Sequence, residues 1–328
     1  MKIKNNPVLF KQTWVALQDN RPITVPRVFI DLLQSTKAAV LLAQMIYWTR
    51  QGCFIEKNNG WFFKNAVTWQ EETGLSLQEQ RTARKHLLSA GLISEERKGM
   101  PAKLYTKVNL DVLQAKLLPF KDTKPEWICL GGLREKEVRT TSIFGKATMY
   151  HRDLALLTGG VNAGLMLSVM MHQASLLGRR NREEHIATVK IGMAKWTDLT
   201  GLSYFEQKRA REKLKKLGLI KELHLDTSNS IFSMVNLTKL KELLVKNTQK
   251  KLAKKQHYAD KQFPDNYRKP FLSIVENKNE NIFYNHGFNE KADELFSEKN
   301  NFNKQVCWNS NYSLLKVKIQ TVETENPL

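Results

Sequence analysis

The octapeptide WQEETGLS at residues 69–76 recurs as WTDLTGLS at residues 196–203, 127 positions later. The match continues without a gap through EQRTAR (79–84) and EQKRAR (206–211), then GLI (91–93 and 218–220) and VNL (108–110 and 235–237). Upstream, AAVLL (38–42) resembles AGLML (163–167) more loosely at an offset of 125, so a two-residue length change falls between. An ungapped match of this length is improbable by chance, and the sequence therefore predicts two copies of one domain.

Each octapeptide combines the end of one helix with the start of the next. Gly74 and Gly201 suit the left-handed position that follows a helix C-terminus. The serine two residues later opens an S-x-x-E pattern, Ser76 to Glu79 and Ser203 to Glu206, in which serine and glutamate cap the first free N–H groups of a helix. The sequence therefore predicts a tight helix-turn-helix in each copy.

Other elements surround this turn in the same order in both copies. A nearly all-apolar first helix (36–48 and 162–176) precedes a short strand (61–63 and 186–189), and a β-hairpin follows the third helix. Helix, strand, helix, helix and hairpin make up a winged helix-turn-helix. The predicted fold class is mainly α with small β-hairpins (α+β), with two such domains in tandem.

Domain boundaries follow from the repeat and from composition. We predict a first winged-helix domain with an N-terminal extension at residues 1–115, a connector at 116–147 with one strand around Trp127 to Leu130, and a second winged-helix domain at 148–245. Residues 246–328 contain a basic run (250–255) and an Asn-rich stretch, so we expect a largely disordered tail.

Charge indicates the class of partner. The chain has 52 Lys+Arg against 32 Asp+Glu, a formal net charge of +20, with an ordinary hydrophobic fraction of 41%. Such an excess favours a polyanion, with nucleic acid ahead of an anionic membrane surface. Neither a membrane-spanning stretch nor a leader sequence is evident, and the three cysteines are far apart, so a cytoplasmic protein is expected.

The third helix and the wing supply the candidate DNA contacts. In a winged helix this helix enters the major groove, where side-chain donors meet base edges and phosphates. Its outward face in the first copy carries Gln78, Arg81, Thr82 and Lys85, and in the second copy Phe205, Lys208, Arg209 and Glu212. Arg97, Lys98 and Lys103 flank the first wing, whereas the second wing has Asp226 and neutral residues, so the two domains are not expected to be equivalent.

Some positions on these helices are open to two interpretations. For Arg84 and Arg211, a phosphate contact and a solvated helix surface are equally supported, and both residues are kept as DNA-binding candidates. Gln80 and Gln207 suit adenine recognition, but their place beside Ala83 and Ala210 favours packing. Trp69 and Trp196 are expected in the core.

Catalytic patterns are not evident. There is no GxxxxGK[ST] loop and no HxH or HExxH pair, and the capping boxes explain Glu79 and Glu206. We therefore expect no enzyme, no catalytic residue, no cofactor and no metal.

From the W-x-x-x-T-G-L-S motif through A-R-x-x-L to G-L-I, each copy resembles the winged-helix domains of phage and plasmid replication proteins. These include replisome-organiser and DnaD-like N-terminal domains and the plasmid RepA N-terminal domain. The resemblance covers about 100 residues per copy and implies a replication initiator of a plasmid, phage or other mobile element that binds double-stranded origin DNA. It also implies host helicase or primase components, and a second copy of the chain, as further partners.

Two other functions remain open at this stage. A transcriptional regulator of a mobile element would use the same DNA contacts, and a protein-interaction scaffold would bind partners through the winged helices. The sequence does not identify which winged helix binds DNA and which one dimerises.

Overall fold

A computed structural model describes residues 8–18, 21–51, 55–135, 139–176, 186–224 and 230–262. The chain up to the first hairpin forms α1 (Val8–Gln18), β1 (Ile23–Pro26), α2 (Arg27–Leu33), α3 (Thr36–Gln51), β2 (Trp61–Phe63), α4 (Ala66–Thr73), α5 (Leu77–Ser89), β3 (Ile93–Lys98) and β4 (Lys103–Val108). The next segment forms α6 (Leu110–Leu117), a 3-10 turn (Pro125–Trp127), α7 (Leu130–Arg134) and α8 (Thr140–Phe144). The remainder forms β5 (Ala147–Tyr150), α9 (Arg152–Thr158), α10 (Val161–Leu176), β6 (Ile186–Gly192), α11 (Met193–Thr200), α12 (Tyr204–Lys216), β7 (Ile220–His224), β8 (Ser230–Asn236) and α13 (Leu237–Gln262).

The repeat predicted from the sequence is present in the architecture. We call β1 to α6 the first copy and β5 to α13 the second copy. In each, a helix, a strand, two helices and a hairpin follow one another, and the three strands form an antiparallel sheet, in the order β2-β4-β3 in the first copy and β6-β8-β7 in the second. The protein is thus α+β, with small antiparallel sheets beside a majority of helices.

The capping chemistry predicted from the octapeptides is confirmed. Glu79 N donates to Ser76 Oγ at 3.3 Å and Ser76 N donates to Glu79 Oε2 at 2.9 Å. The same two bonds join Ser203 and Glu206 at 3.4 and 3.0 Å. Gly74 and Gly201 have φ of 73° and 66°, a left-handed conformation that glycine adopts without a Cβ penalty. The same local chemistry therefore fixes both helix-turn-helix turns.

The two copies pack against each other about a local two-fold axis. Strands β1 and β5 pair in antiparallel fashion, and Thr24 lies opposite Met149, which is its equivalent at the 125-residue offset of the upstream repeat. The glycines that end α4 and α11 make symmetric contacts with the other copy. A Cβ on Gly201 would overlap Ile30 of the first copy, and a Cβ on Gly74 would lie 2.9 Å from Ala155 Cβ of the second copy. Ile30 and Ala155 are equivalent positions of the two copies.

The interface between the copies is part of the hydrophobic core. Tyr150, Ala155, Val161 and Leu165 of the second copy lie in the same buried cluster as the core of the first copy. Tyr150 is fully buried, and its hydroxyl donates to the carbonyl of Thr73 at 2.7 Å. Two copies that share a continuous core are held in one fixed arrangement.

The helix α1 belongs to the second core although it precedes the first copy in the chain. Phe10 and Leu17 are buried among the core residues of the second copy, and Gln12 Oε1 accepts from Lys241 Nζ of α13 at 2.8 Å. The boundary predicted at residue 115 placed this segment with the first domain. Because α1 lies outside the repeated segment, the repeat contained no information on where it docks.

Two predictions for the remaining segments are corrected. The connector strand expected around Trp127 to Leu130 is wrong: a 3-10 turn and α7 occupy this segment, with Ile128 and Leu133 buried in the first core and Cys129 Sγ accepting from Gly132 N. The boundary predicted at residue 245 does not coincide with the end of a helix, because α13 continues to Gln262 into the segment predicted as a largely disordered tail. The rest of the predicted tail lies outside the described residues. Among the helices that the structure describes, none has the length and apolar content needed to cross a bilayer.

Candidate nucleic-acid interface

The helix α5 separates buried and exposed residues sharply along its two faces. Gln80, Ala83 and Leu87 are buried. The predicted outward residues are all exposed, and they are Gln78, Arg81, Thr82 and Lys85. This face therefore exposes two cationic groups, an amide and a hydroxyl, and the Thr82 hydroxyl donates to the carbonyl of Gln78 at 3.1 Å.

The buried glutamine of each third helix locks the turn that precedes it. Gln80 Nε2 donates to the carbonyls of Ala66 and Leu75 at 3.0 and 2.9 Å. Gln207 Nε2 donates to Thr197 Oγ1 and to the carbonyl of Leu202 at 2.9 and 2.8 Å. The packing role favoured by the sequence is confirmed, and neither amide is available to a base.

Arg84 is a structural residue, which corrects its assignment as a DNA contact. Its guanidinium forms an ion pair with Glu95 of β3, donates to Thr106 Oγ1 at 3.1 Å and lies 5.6 Å from the ring centroid of buried Trp69. The contacts lie between α5 and the inner face of the sheet. A side chain held there by three partners does not reach a phosphate.

Arg211 makes the equivalent contacts in the second copy and is corrected for the same reason. It is 6% exposed, lies 5.7 Å from the ring of Trp196, and its Nε lies 3.3 Å from Glu222 Oε1, an ion pair without hydrogen-bond geometry. Burial lowers the pKa of Arg211. The prediction that Trp69 and Trp196 are core residues is confirmed, since they are 0% and 1% exposed.

The helix α12 presents a different outward face. Phe205, Lys208, Arg209 and Glu212 are exposed as predicted. Its first turn also exposes an aromatic pair, with Tyr204 51% and Phe205 69% exposed and ring centroids 5.5 Å apart. Like α5, this face has two cationic side chains, but unlike α5 it also has an acidic side chain and exposed aromatic rings in its first turn.

The three basic residues predicted at the first wing are exposed on the β3–β4 hairpin, but they lie on opposite faces of the sheet. Arg97 alternates with Glu95 along β3, and Glu95 faces α5 through Arg84, so Arg97 lies on the α5 side. Lys98 and Lys103 are a cross-strand pair on the other side, where Lys98 Nζ lies 4.5 Å from the Trp61 ring and 2.9 Å from Glu96 Oε2. Arg97 thus extends the α5 face, and Lys98 and Lys103 do not.

The hairpin predicted as the second wing is only partly described. Strands β7 and β8 pair from Ile220 opposite Val235 to His224 opposite Ile231, but the predicted tip with Asp226 lies outside the described residues. The prediction that this wing is less basic stays a prediction.

The ion pairs Arg84–Glu95 and Arg211–Glu222 were missed by the sequence analysis although a signal was present. Both arginines and both glutamates occupy matched positions of the repeat at an offset of 127. Residues that are identical in two copies with different outward faces belong to the shared scaffold.

Comparison with known proteins does not assign the chain to a family. It matches no protein-family model, and no curated protein is significantly similar to it. The exposed residues of α5, α12 and the hairpins are therefore the features from which we infer a function.

Proposed function

We propose that each copy is a winged helix-turn-helix and that the protein binds double-stranded DNA sequence-specifically. The main support is the outward face of α5, where Gln78, Arg81, Thr82 and Lys85 are exposed together on a helix whose other side is locked into the core. An α-helix fits the major groove, and guanidinium, ammonium and amide groups on its exposed face are donors for guanine, adenine and phosphate oxygens. Arg97 would add a backbone contact beside it.

The packing of the copies favours one particular form of DNA site. Two recognition helices related by a two-fold axis present themselves to DNA in opposite directions, so the half-sites would be inverted. Half-sites about one helical turn, roughly 10 bp, apart suit this arrangement. Since Thr82 and Lys85 correspond to Arg209 and Glu212, the two half-sites would differ in sequence.

We further propose that the protein is the replication initiator of a plasmid, phage or other mobile element. The support is the resemblance of each copy to the winged-helix domains of replication proteins, which also points to host helicase or primase components as partners. A regulator of transcription would use the same contacts. Support of an origin plasmid in cells favours the initiator, whereas protection of a promoter without replication favours the regulator.

Duplex binding is tested by selecting bound fragments and then measuring their affinity at about 50 and 200 mM salt. Arg81→Ala and Lys85→Ala should each lower affinity and reduce the slope of log K against log salt by about 0.9 for each lost phosphate contact. Lys121→Ala removes an exposed cation on the connector and is the matched control. Failure of the wild-type chain to shift any duplex at 50 mM salt would favour the protein-interaction scaffold instead.

A further inference from the structure

The sheet of the first copy has an outer face that no element of the duplex-binding proposal uses. Strand alternation turns Phe62, Thr106 and Val108 toward the core, where Thr106 and Val108 are buried and Phe62 packs against the core cluster. The opposite side chains form what we call the outer sheet face: Trp61, Phe63, Lys98, Lys103, Tyr105 and Lys107. The helix α5 lies against the inner side of this sheet, through Arg84 and Glu95.

Aromatic rings and ammonium groups are interleaved on the outer sheet face. Phe63 and Tyr105 are a cross-strand pair with ring centroids 5.9 Å apart, and Phe63 is 37% exposed. Lys103 Nζ lies 5.4 Å from the centroid of Phe63, and Lys98 Nζ lies 4.5 Å from that of Trp61. Trp61 and Tyr105 beside it are half-buried, so each of the three rings keeps part of its surface open to solvent.

The charge of this face is positive. Lys98, Lys103 and Lys107 project from it, and Glu96 is the one acid on the same side of β3, already paired with Lys98 at 2.9 Å. Ammonium groups beside exposed rings match a chain that alternates phosphates with flat bases. Sheet aromatics stack unpaired bases in single-strand binding domains, with lysine and arginine following the backbone.

We propose that the outer sheet face binds single-stranded DNA, with bases stacked on Phe63 and Tyr105 and phosphates held by Lys103 and Lys98. Bases in a duplex are stacked on one another and do not present their faces, so this surface selects melted DNA. Because α5 lies on the other side of the sheet, one copy has room for a duplex on one side and a single strand on the other.

The second copy supplies an internal comparison. By strand register, Trp61, Phe63 and Tyr105 correspond to Thr188, Lys190 and Phe232. One ring replaces three: Phe232 is half-buried, as Tyr105 is, and it has Lys190 Nζ 5.1 Å from its centroid but no second ring across the strand. Among the strand residues that the structure describes, the cross-strand ring pair is therefore a feature of the first copy.

The test measures fluorescence anisotropy of labelled 20-mers with the full chain: oligothymidylate, oligouridylate and a 20-bp duplex. Phe63→Leu and Tyr105→Leu keep apolar volume but remove a ring, and each should weaken oligothymidylate binding about 5- to 100-fold, with duplex affinity unchanged. Lys103→Ala should lower the salt slope for the single strand by about 0.7. Thermal unfolding of each variant establishes that it is folded.

Two controls separate this site from general electrostatics. Phe232→Leu, at the position equivalent to Tyr105, should leave oligothymidylate binding unchanged, and Arg81→Ala should weaken the duplex and not the single strand. Absence of oligothymidylate binding by the wild-type chain would overturn the proposal, as would equal losses in Phe63→Leu and Phe232→Leu. Tighter binding of oligouridylate would overturn the assignment to DNA. Loss of duplex binding alone would leave the single-strand site standing, because the two sites lie on opposite sides of the sheet.

Discussion

The two copies share their interiors and differ on their outward faces. Trp69 and Trp196, Gln80 and Gln207, and the ion pairs Arg84–Glu95 and Arg211–Glu222 occupy matching places in both cores. The outward faces differ: at the positions of Gln78, Thr82 and Lys85 in α5, the helix α12 has Phe205, Arg209 and Glu212. The identical pairs are thus buried scaffold residues, whereas these three differences lie on exposed faces that we propose to meet DNA.

The two copies also differ in what lies around their conserved cores. The second copy receives α1 as an additional layer through Phe10 and Leu17, and the first copy carries the aromatic outer sheet face. A duplicated fold in a single chain is free to give each copy one specialised surface. The predictions below test this division, from the largest expected effect to the smallest.

Breaking the more deeply buried ion pair should have the largest effect on stability. The side chains of Arg211 and Glu222 are 7% and 4% exposed, against 14% and 16% for Arg84 and Glu95. Glu222→Gln leaves a buried guanidinium without its counter-charge and should lower the free energy of unfolding by about 3–5 kcal/mol. Glu95→Gln should cost less, and Glu96→Gln, at an exposed position, less than about 1 kcal/mol. Chemical denaturation measures all three, and a larger loss in Glu95→Gln would contradict this ranking.

A side chain at the interface between the copies should have the next largest effect. An alanine Cβ at position 201 would overlap Ile30, in addition to requiring φ of 66°, and Gly201→Ala should cost about 3 kcal/mol. Gly218 has φ of 68° but open space around its Cβ, so Gly218→Ala should cost only about 1–2 kcal/mol. Thermal unfolding compares the two, and equal losses would mean that Gly201 does not contact the first copy.

Exchanging charge at a matched position should alter DNA affinity in opposite directions. Lys85 and Glu212 are equivalent and both exposed. Lys85→Glu should weaken duplex binding, while Glu212→Lys should strengthen it and steepen the salt slope by about 0.9 if one phosphate contact is gained. Salt titrations of duplex anisotropy test the pair. Unchanged slopes in both variants would remove these faces from the interface.

The docking of α1 should show the smallest effect, a dependence on pH. His151 is buried, its Nδ1 lies 3.1 Å from the carbonyl of Leu17, and burial lowers its pKa. At acidic pH the unfolded chain therefore binds more protons than the folded chain. The contribution of neutral His151 to the free energy of unfolding is thus complete above about pH 6.5 and is lost as the pH falls below it. As the pH falls from 7.5 to 5.5, amide exchange in α1 should become faster once its rates are corrected for the intrinsic pH dependence of exchange. His151→Gln should reduce that dependence, and an unchanged profile would contradict the role of His151.

The sequence was sufficient to predict the order of elements within each copy, because an internal repeat acts as an alignment of two sequences. Gly74 and Gly201 then marked the ends of α4 and α11, and the capping boxes marked the starts of α5 and α12. The pairing of β1 with β5 and the docking of α1 were not predictable, since both depend on contacts between segments outside the matched region. Arg84 and Arg211 were misassigned because helical spacing was weighed without Glu95 and Glu222, which lie on β3 and β7 and face these helices.

We propose that α5 and α12 contact one duplex through two inverted, non-identical half-sites. Hydroxyl-radical footprinting on a selected duplex tests it directly with the variants Arg81→Ala/Lys85→Ala and Lys208→Ala/Arg209→Ala. We predict two protected patches about one helical turn apart, the first double variant removing one patch and the second removing the other. A single patch, or two patches that both variants leave intact, would contradict the account.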